Sequence, residues 1–72
     1  MPLNLNTKIM SLVVDEIERT ITRTGKSFRD ISNTLSSLHP EILFTPEDWE
    51  QLPQDTQDGI IHRIKKTLGS LS

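Results

Sequence analysis

Few residues of this chain have side chains suited to catalysis, because it contains no cysteine and only two histidines, His39 and His62. The missing thiol excludes disulfides, thiolate metal sites and a cysteine nucleophile. His62 follows Asp58 by four residues, so a carboxylate could orient an imidazole on one helix face. A general base also needs a nucleophile and a pocket, and neither is recognisable here. We therefore expect a solvated pair, and no enzyme, metal or cofactor.

Gly25, Lys26 and Ser27 match the last three residues of a phosphate-binding loop. That motif requires another glycine five residues before its second glycine, and a strand that leads into the loop. Thr20 stands at the required position, inside a predicted helix. The match is better explained by a glycine that ends one helix and a serine that caps the next.

A chain of 72 residues is expected to form one small domain, 1–72. Folds of this size often need a disulfide, a metal or a second subunit. With the first two absent from the pattern, we expect association with another protein chain, and a homodimer is the simplest form. The apolar run 9–14 is short and two acids follow it at once, so it resembles neither a secretory signal nor a membrane span. We therefore expect a cytoplasmic protein without membrane contact.

The elements that position any binding residue are predicted to be helices, after an extended lead-in at 1–6. The pattern at 7–24 is that of an amphipathic helix. Its apolar side chains cover an arc of roughly 140°, which is wider than a minimal bundle requires. We predict that the chain self-associates through this helix, using Ile9, Met10, Leu12, Val13, Ile17 and Ile21.

Three further helical patterns lie at about 27–38, 46–52 and 55–68. Each is followed within two residues by a proline or a glycine, and both residue types end helices. The triplet 42–44 between two of these helices is interpreted as a buried connector, with a short strand as the alternative. The predicted fold is therefore all-α, a small bundle of three longer helices and one short helix.

The helix ends carry residues suited to capping. Ser27, Thr45 and Asp55 are the expected N-caps, and Pro46 suits the first position of the short helix. Gly69 is expected directly after the last helix. The predicted core consists of Val13, Ile17, Ile21, Phe28, Ile31, Leu35, Trp49, Ile60, Ile64 and Leu68.

The segment 43–52 contains the one tryptophan of the chain, Trp49, together with Phe44 and Leu52 in an acidic setting. Tryptophan is enriched among the residues that dominate binding energy. These three residues are therefore a candidate docking surface for a groove with a basic rim. The alternative is that Trp49 is the largest residue of the core.

Charge is distributed unevenly, with six acids and no base at 41–58 and three bases without an acid at 59–72. Acids at helix starts and bases at a helix end account for this pattern. The alternative function is a small nucleic-acid-binding regulator that uses Arg63, Lys65 and Lys66. The helix that would then enter a DNA groove is acidic and should be repelled, so we expect no nucleic-acid partner. The leading prediction is a non-enzymatic protein–protein interaction or regulatory module.

Overall fold

The structure is a computed structural model that describes residues 5–71. Within that range the chain forms four α-helices and one turn of 3₁₀ helix, with no strand. These elements are α1 (Thr7–Thr24), α2 (Phe28–Leu38), the 3₁₀ turn η1 (Pro40–Leu43), α3 (Pro46–Glu50) and α4 (Gln54–Ser70). The predicted all-α fold of three longer helices and one short helix is confirmed. None of the described helices is long and apolar enough to cross a membrane.

The core lies along the contact between α1 and α4, with α2, η1 and α3 beside it. A spacing of four residues places the apolar side chains of α1 and α4 on one face of each helix. Burial of these faces against each other removes both from water, which is the main favourable contribution to folding. Ten apolar side chains are at most 3% exposed: Ile9, Val13, Ile17, Ile31, Leu35, Ile42, Trp49, Ile60, Ile64 and Leu68.

The predicted core is wrong at Phe28, whose side chain is 50% exposed. Phe28 is the first residue of α2, and Leu38, which is 59% exposed, is its last. The buried residues of this helix, Ile31, Ser32 and Leu35, all lie in its middle. An 11-residue helix is about 16 Å long, and its neighbours cover only the central part. The two ends of the apolar line therefore extend past the packed region.

Three predicted helix ends are confirmed by their backbone geometry. The Oγ of Ser27 accepts a hydrogen bond from the backbone N–H of Asp30 at 3.1 Å. The Oγ1 of Thr45 accepts one from the backbone N–H of Asp48, also at 3.1 Å. Gly25 ends α1 at a φ of 74°, a left-handed conformation that strains residues with a Cβ.

The junction between α3 and α4 is held by a glutamine that the sequence did not single out. Asp55, the predicted cap, lies in the first turn of α4, while Pro53 precedes the helix without a side-chain cap. The Nε2 of Gln57 donates to the carbonyl oxygens of Trp49 at 2.7 Å and Leu52 at 3.3 Å. These bonds satisfy carbonyls at the end of α3 and fix the short helix against α4.

The C-terminal end of α4 also differs from the prediction, because Gly69 lies inside the helix rather than after it. The Nη2 of Arg23, from α1, donates to the carbonyl oxygens of Leu68 at 2.7 Å and Leu71 at 2.8 Å. These are among the last carbonyls of a helix, which have no partner within the helix itself. The side chain of Arg23 therefore caps the C-terminal end of α4, where the sequence predicts a glycine cap.

Candidate docking surface

The connector 42–44 changes from buried to exposed after its first residue. Ile42 is fully buried, whereas Leu43 is 44% and Phe44 is 36% exposed. The prediction of a buried connector is therefore right for Ile42 and wrong for the two residues that follow. The alternative of a short strand is wrong, because Ile42 and Leu43 belong to the 3₁₀ turn η1.

Leu43 and Phe44 share a shallow cavity of about 340 Å³ with two more apolar residues, Leu5 and Pro46. We call these four residues the connector surface. Single exposed leucines are normal on protein surfaces, whereas apolar residues that meet in one place more often mark a contact site. The remaining residues that line this cavity are polar: Asn6, Thr7 and Thr45.

Asn6 fixes the backbone that carries the connector surface. Its side chain is buried, and its Oδ1 accepts hydrogen bonds from two backbone N–H groups in the first turn of α1, at 2.9 and 3.2 Å. Its Nδ2 donates to the carbonyl oxygen of Phe44 at 2.9 Å, and its backbone N–H donates to that of Ile42 at 2.7 Å. The connector is therefore held on both sides of Leu43 against the start of α1.

Asn6 was missed because the sequence interpretation assigned it to an extended lead-in. Of that lead-in, residues 1–4 lie outside the described part of the chain. A signal was present, since Asn6 stands directly before the first residue of a periodic apolar helix, where asparagine is a favoured N-cap. Its bond to Phe44 spans 38 positions, and no local pattern predicts such a contact.

The three predicted docking residues are not brought together. Trp49 is 3% exposed and belongs to the core, so the alternative interpretation of this residue as a core residue is right. Leu52 is partly buried and packs against the same core. Of the three, Phe44 lines the connector surface.

The predicted self-association residues of α1 are also divided by the structure. Ile9, Val13 and Ile17 are buried in the single chain, because α4 of the same chain packs against α1. Leu12 is 53% exposed, and the other two residues are partly buried. A surface made of all six is therefore not available on the folded chain. Whether the chain associates with itself elsewhere stays a prediction.

The three bases proposed for nucleic-acid contact line two different cavities beside α4. Arg63 and Lys66 line a cleft together with His39, whereas Lys65 lines the groove between α1 and α4. The Nη2 of Arg63 also lies 3.6 Å from the Oε2 of Glu41. The three bases therefore do not form one positive face, and the nucleic-acid alternative stays a prediction without an observation in its favour.

The two chemistry-bearing patterns of the sequence, Asp58 with His62 and Gly25–Ser27, lie in separate parts of the fold. Asp58 accepts a hydrogen bond from the Nε2 of Gln54 at 2.8 Å, and His62 is exposed on the surface of α4. Gly25 and Ser27 are helix caps. Capping therefore accounts for the Gly25–Ser27 match, whereas Asp58 and His62 both line the groove between α1 and α4.

The connector surface lies in a negatively charged part of the chain. Segment 41–50 contains four acids and no base. The acids at its two ends form ion pairs with Arg63 and Lys8. The other two, Glu47 and Asp48, are exposed and form no ion pair with any of residues 5–71. Uncompensated negative charge therefore follows the exposed apolar residues directly along the chain.

Comparison with known protein families, with curated proteins and with solved structures found no match to this chain. An interpretation of its function therefore depends on the geometry of its own residues.

Proposed function

We propose that this chain is a non-enzymatic interaction module that docks onto another protein through the connector surface. The observation that carries the proposal is that exposed apolar side chains lie on a backbone held in place by hydrogen bonds. Leu43 and Phe44 are exposed, while hydrogen bonds from Asn6 hold the backbone on both sides. Ordering of flexible groups at an interface opposes binding. A backbone that is already held in place lowers that cost.

The partner that fits this surface has an apolar anchor with lysine or arginine around it. Glu47 and Asp48 supply the negative charge beside the connector surface. Complementary charge steers two proteins together and disfavours partners of the wrong sign, although it adds less to affinity than the apolar contact does. Binding should therefore have an apolar component that depends on Phe44 and a salt-dependent component that depends on the acids.

Affinity capture from the source cells tests this proposal with two double variants. Leu43→Ser/Phe44→Ser removes one leucine and one phenylalanine from the connector surface. Phe28→Ser/Leu38→Ser is the matched control, since it removes the same residue types from exposed positions of α2. We expect a protein that the wild type and the control retain and the connector variant loses.

The retained protein is then purified, and its affinity for each variant is measured by titration calorimetry. Affinity should fall at least about tenfold for the connector variant, in the range of a residue central to binding, and should weaken with added salt. If both double variants bind as the wild type does, the connector surface is not the docking site.

Self-association is a separate prediction that rested on the wide apolar stripe of α1. Because the folded chain buries Ile9, Val13 and Ile17 itself, that argument no longer favours α1 as the contact. Sedimentation velocity at high micromolar concentration decides the matter. A monomer of 8.2 kDa would exclude a dimer, and a dimer that tolerates Leu12→Glu would have its contact away from Leu12.

A further inference from the structure

A second surface feature is a cleft of about 430 Å³ between the end of α2 and the C-terminal half of α4. It shares no residue with the connector surface. Four of its five residues come from α4, at positions i, i+3, i+4 and i+7, so they lie on one face of the helix. The five residues all carry polar side chains: His39, Arg63, Lys66, Thr67 and Ser70.

Thr67 uses its hydroxyl differently from four threonines of α1 and α2. Its Oγ1 lies 2.7 Å from the Nε2 of His39, across the boundary between α4 and the end of α2. When the imidazole donates in this bond, the hydroxyl hydrogen of Thr67 is left for a ligand. By contrast, four threonines in α1 and α2 donate to the carbonyl oxygen four residues earlier: Thr20, Thr22, Thr24 and Thr34.

We propose that this cleft binds one tetrahedral oxyanion, a phosphate group present as free phosphate or as a phosphate monoester. Arg63 and Lys66 supply positive charge, and both side-chain types are common phosphate ligands. Thr67, the residue after Lys66 and on the same helix face, adds a hydroxyl group that can donate when the imidazole of His39 is the donor in their bond. The favourable interaction of positive charge with a helix C-terminus explains only the two basic residues. It does not explain why a histidine from another element holds the threonine hydroxyl.

The site suits one phosphate rather than a nucleic-acid backbone. Duplex binding needs several bases in reach of successive phosphates, and the third base of this helix, Lys65, opens on a different groove. Ser70 contributes no free hydrogen, since its Oγ donates to the carbonyl oxygen of Thr67 at 2.8 Å. The groups that remain, from Arg63, Lys66 and Thr67, all line this one cleft.

Glu41 is the group that opposes an anion in this cleft. Its Oε2 lies 3.6 Å from the Nη2 of Arg63, and its side chain is mostly buried. A carboxylate there repels an anion and competes for the guanidinium. Removal of its charge by Glu41→Gln should therefore strengthen anion binding, which is the opposite of what loss of a cationic ligand does.

Two adjacent lysines give a matched test in a chemical-shift titration of the isotope-labelled chain with inorganic phosphate at constant ionic strength. Lys66→Gln and Lys65→Gln remove the same charge at neighbouring positions, and of these two only Lys66 lines the cleft. We expect Lys66→Gln to weaken binding about three- to tenfold, as for loss of a partly exposed charged contact. Lys65→Gln should bind as the wild type does, and Thr67→Val should weaken binding.

The same titration with phosphoserine distinguishes the source of the phosphate. Tighter binding of phosphoserine identifies a monoester as the ligand, and equal or weaker binding identifies the free ion. Equal weakening by both lysine variants would overturn the proposal, because it shows general attraction by the basic end of α4. So would the absence of saturable shifts at the amides of His39 and Thr67 up to phosphate on the order of 50 mM, where a millimolar site is filled.

Discussion

The apolar residues of α1 and those of the connector surface show opposite behaviour. The sequence predicts that the stripe of α1 is open for self-association and that segment 42–44 is buried. In the structure Ile9, Val13 and Ile17 are enclosed by the chain's own α4, while Leu43 and Phe44 remain exposed. A wide apolar stripe on a long helix therefore predicts packing against a second long helix of the same chain before it predicts self-association. Apolar residues on a short, hydrogen-bonded turn are the ones left for another molecule.

The energies of burial explain why the two regions differ. Complete burial of a large aliphatic side chain contributes about 1.5–3 kcal/mol, so the three α1 residues together contribute roughly 5–9 kcal/mol. A domain of this length has a stability on the order of 4–11 kcal/mol. The chain cannot leave that stripe in water and stay folded, whereas it tolerates the partial exposure of Leu43 and Phe44.

The largest expected effect is that of Ile17→Glu. This change places a charge without a partner between α1 and α4, which costs several kcal/mol. That cost is as large as the whole free energy of unfolding expected for the domain. We expect the cooperative unfolding transition to be lost, as measured by circular dichroism during thermal and urea denaturation. Leu12→Glu on the same helix, at an exposed position, should stay folded. A folded Ile17→Glu variant with a changed assembly state would show that the stripe is a surface.

The second comparison is between two aromatic residues that lie five positions apart. Trp49→Ala removes a buried core residue and should lower the free energy of unfolding by about 3–5 kcal/mol. Phe44→Ala removes a partly exposed side chain and should cost only about 1 kcal/mol. Urea denaturation followed by circular dichroism measures both, since the tryptophan fluorescence is lost in one variant. Equal costs would mean that Phe44 is part of the core and the connector surface is not free.

The helix order could be predicted from the sequence because the signals for it are local. Ser27 and Thr45 bond to backbone groups three residues away, and the stripe of α1 is a simple period. The ends of α4 could not be predicted in this way. The bond from Arg23 to the carbonyl of Leu68 spans 45 positions, and it depends on how two helices pack rather than on the residues beside Gly69.

The candidate site was predictable only in composition. The aromatic residues of segment 43–52 predict a binding segment, but composition does not show which of them faces inward. The larger residue, Trp49, fills the core, and the smaller, Phe44, lies at the surface. The support for that surface comes from Asn6, whose contact with Phe44 exists only once α1 and the connector have come together.

An intermediate effect is expected from changes at Asn6, which joins the two regions. Asn6→Ala removes an N-cap, worth about 1 kcal/mol, and the bond to the carbonyl of Phe44, worth about 1 kcal/mol. Stability should therefore fall by about 2 kcal/mol in urea denaturation. Asn33→Ala, an exposed position of α2, is the control and should change stability by less than about 0.5 kcal/mol.

Asn6→Asp separates the cap from the contact with the connector. Aspartate keeps the acceptor for the first turn of α1 and suits the positive end of the helix, but it no longer donates to Phe44. We expect stability to fall by at least about 1 kcal/mol, because the bond to Phe44 is lost and a carboxylate oxygen then faces its carbonyl oxygen. Hydrogen exchange at the amide of residue 6, which donates to Ile42, should become faster. Unchanged exchange would show that the side-chain bond to Phe44 does not hold the connector.

The smallest expected effect is on the stability of Leu43→Ser and Phe28→Ser. Both side chains are about half exposed, so each change should alter the free energy of unfolding by about 1 kcal/mol or less. The two variants should nevertheless differ in binding, because Leu43 belongs to the connector surface and Phe28 does not. A partner that the first variant loses and the second retains separates docking from packing. If Leu43→Ser instead lowers the free energy of unfolding as much as Trp49→Ala does, Leu43 is a core residue like those of the α1 stripe. It would then not be available for docking.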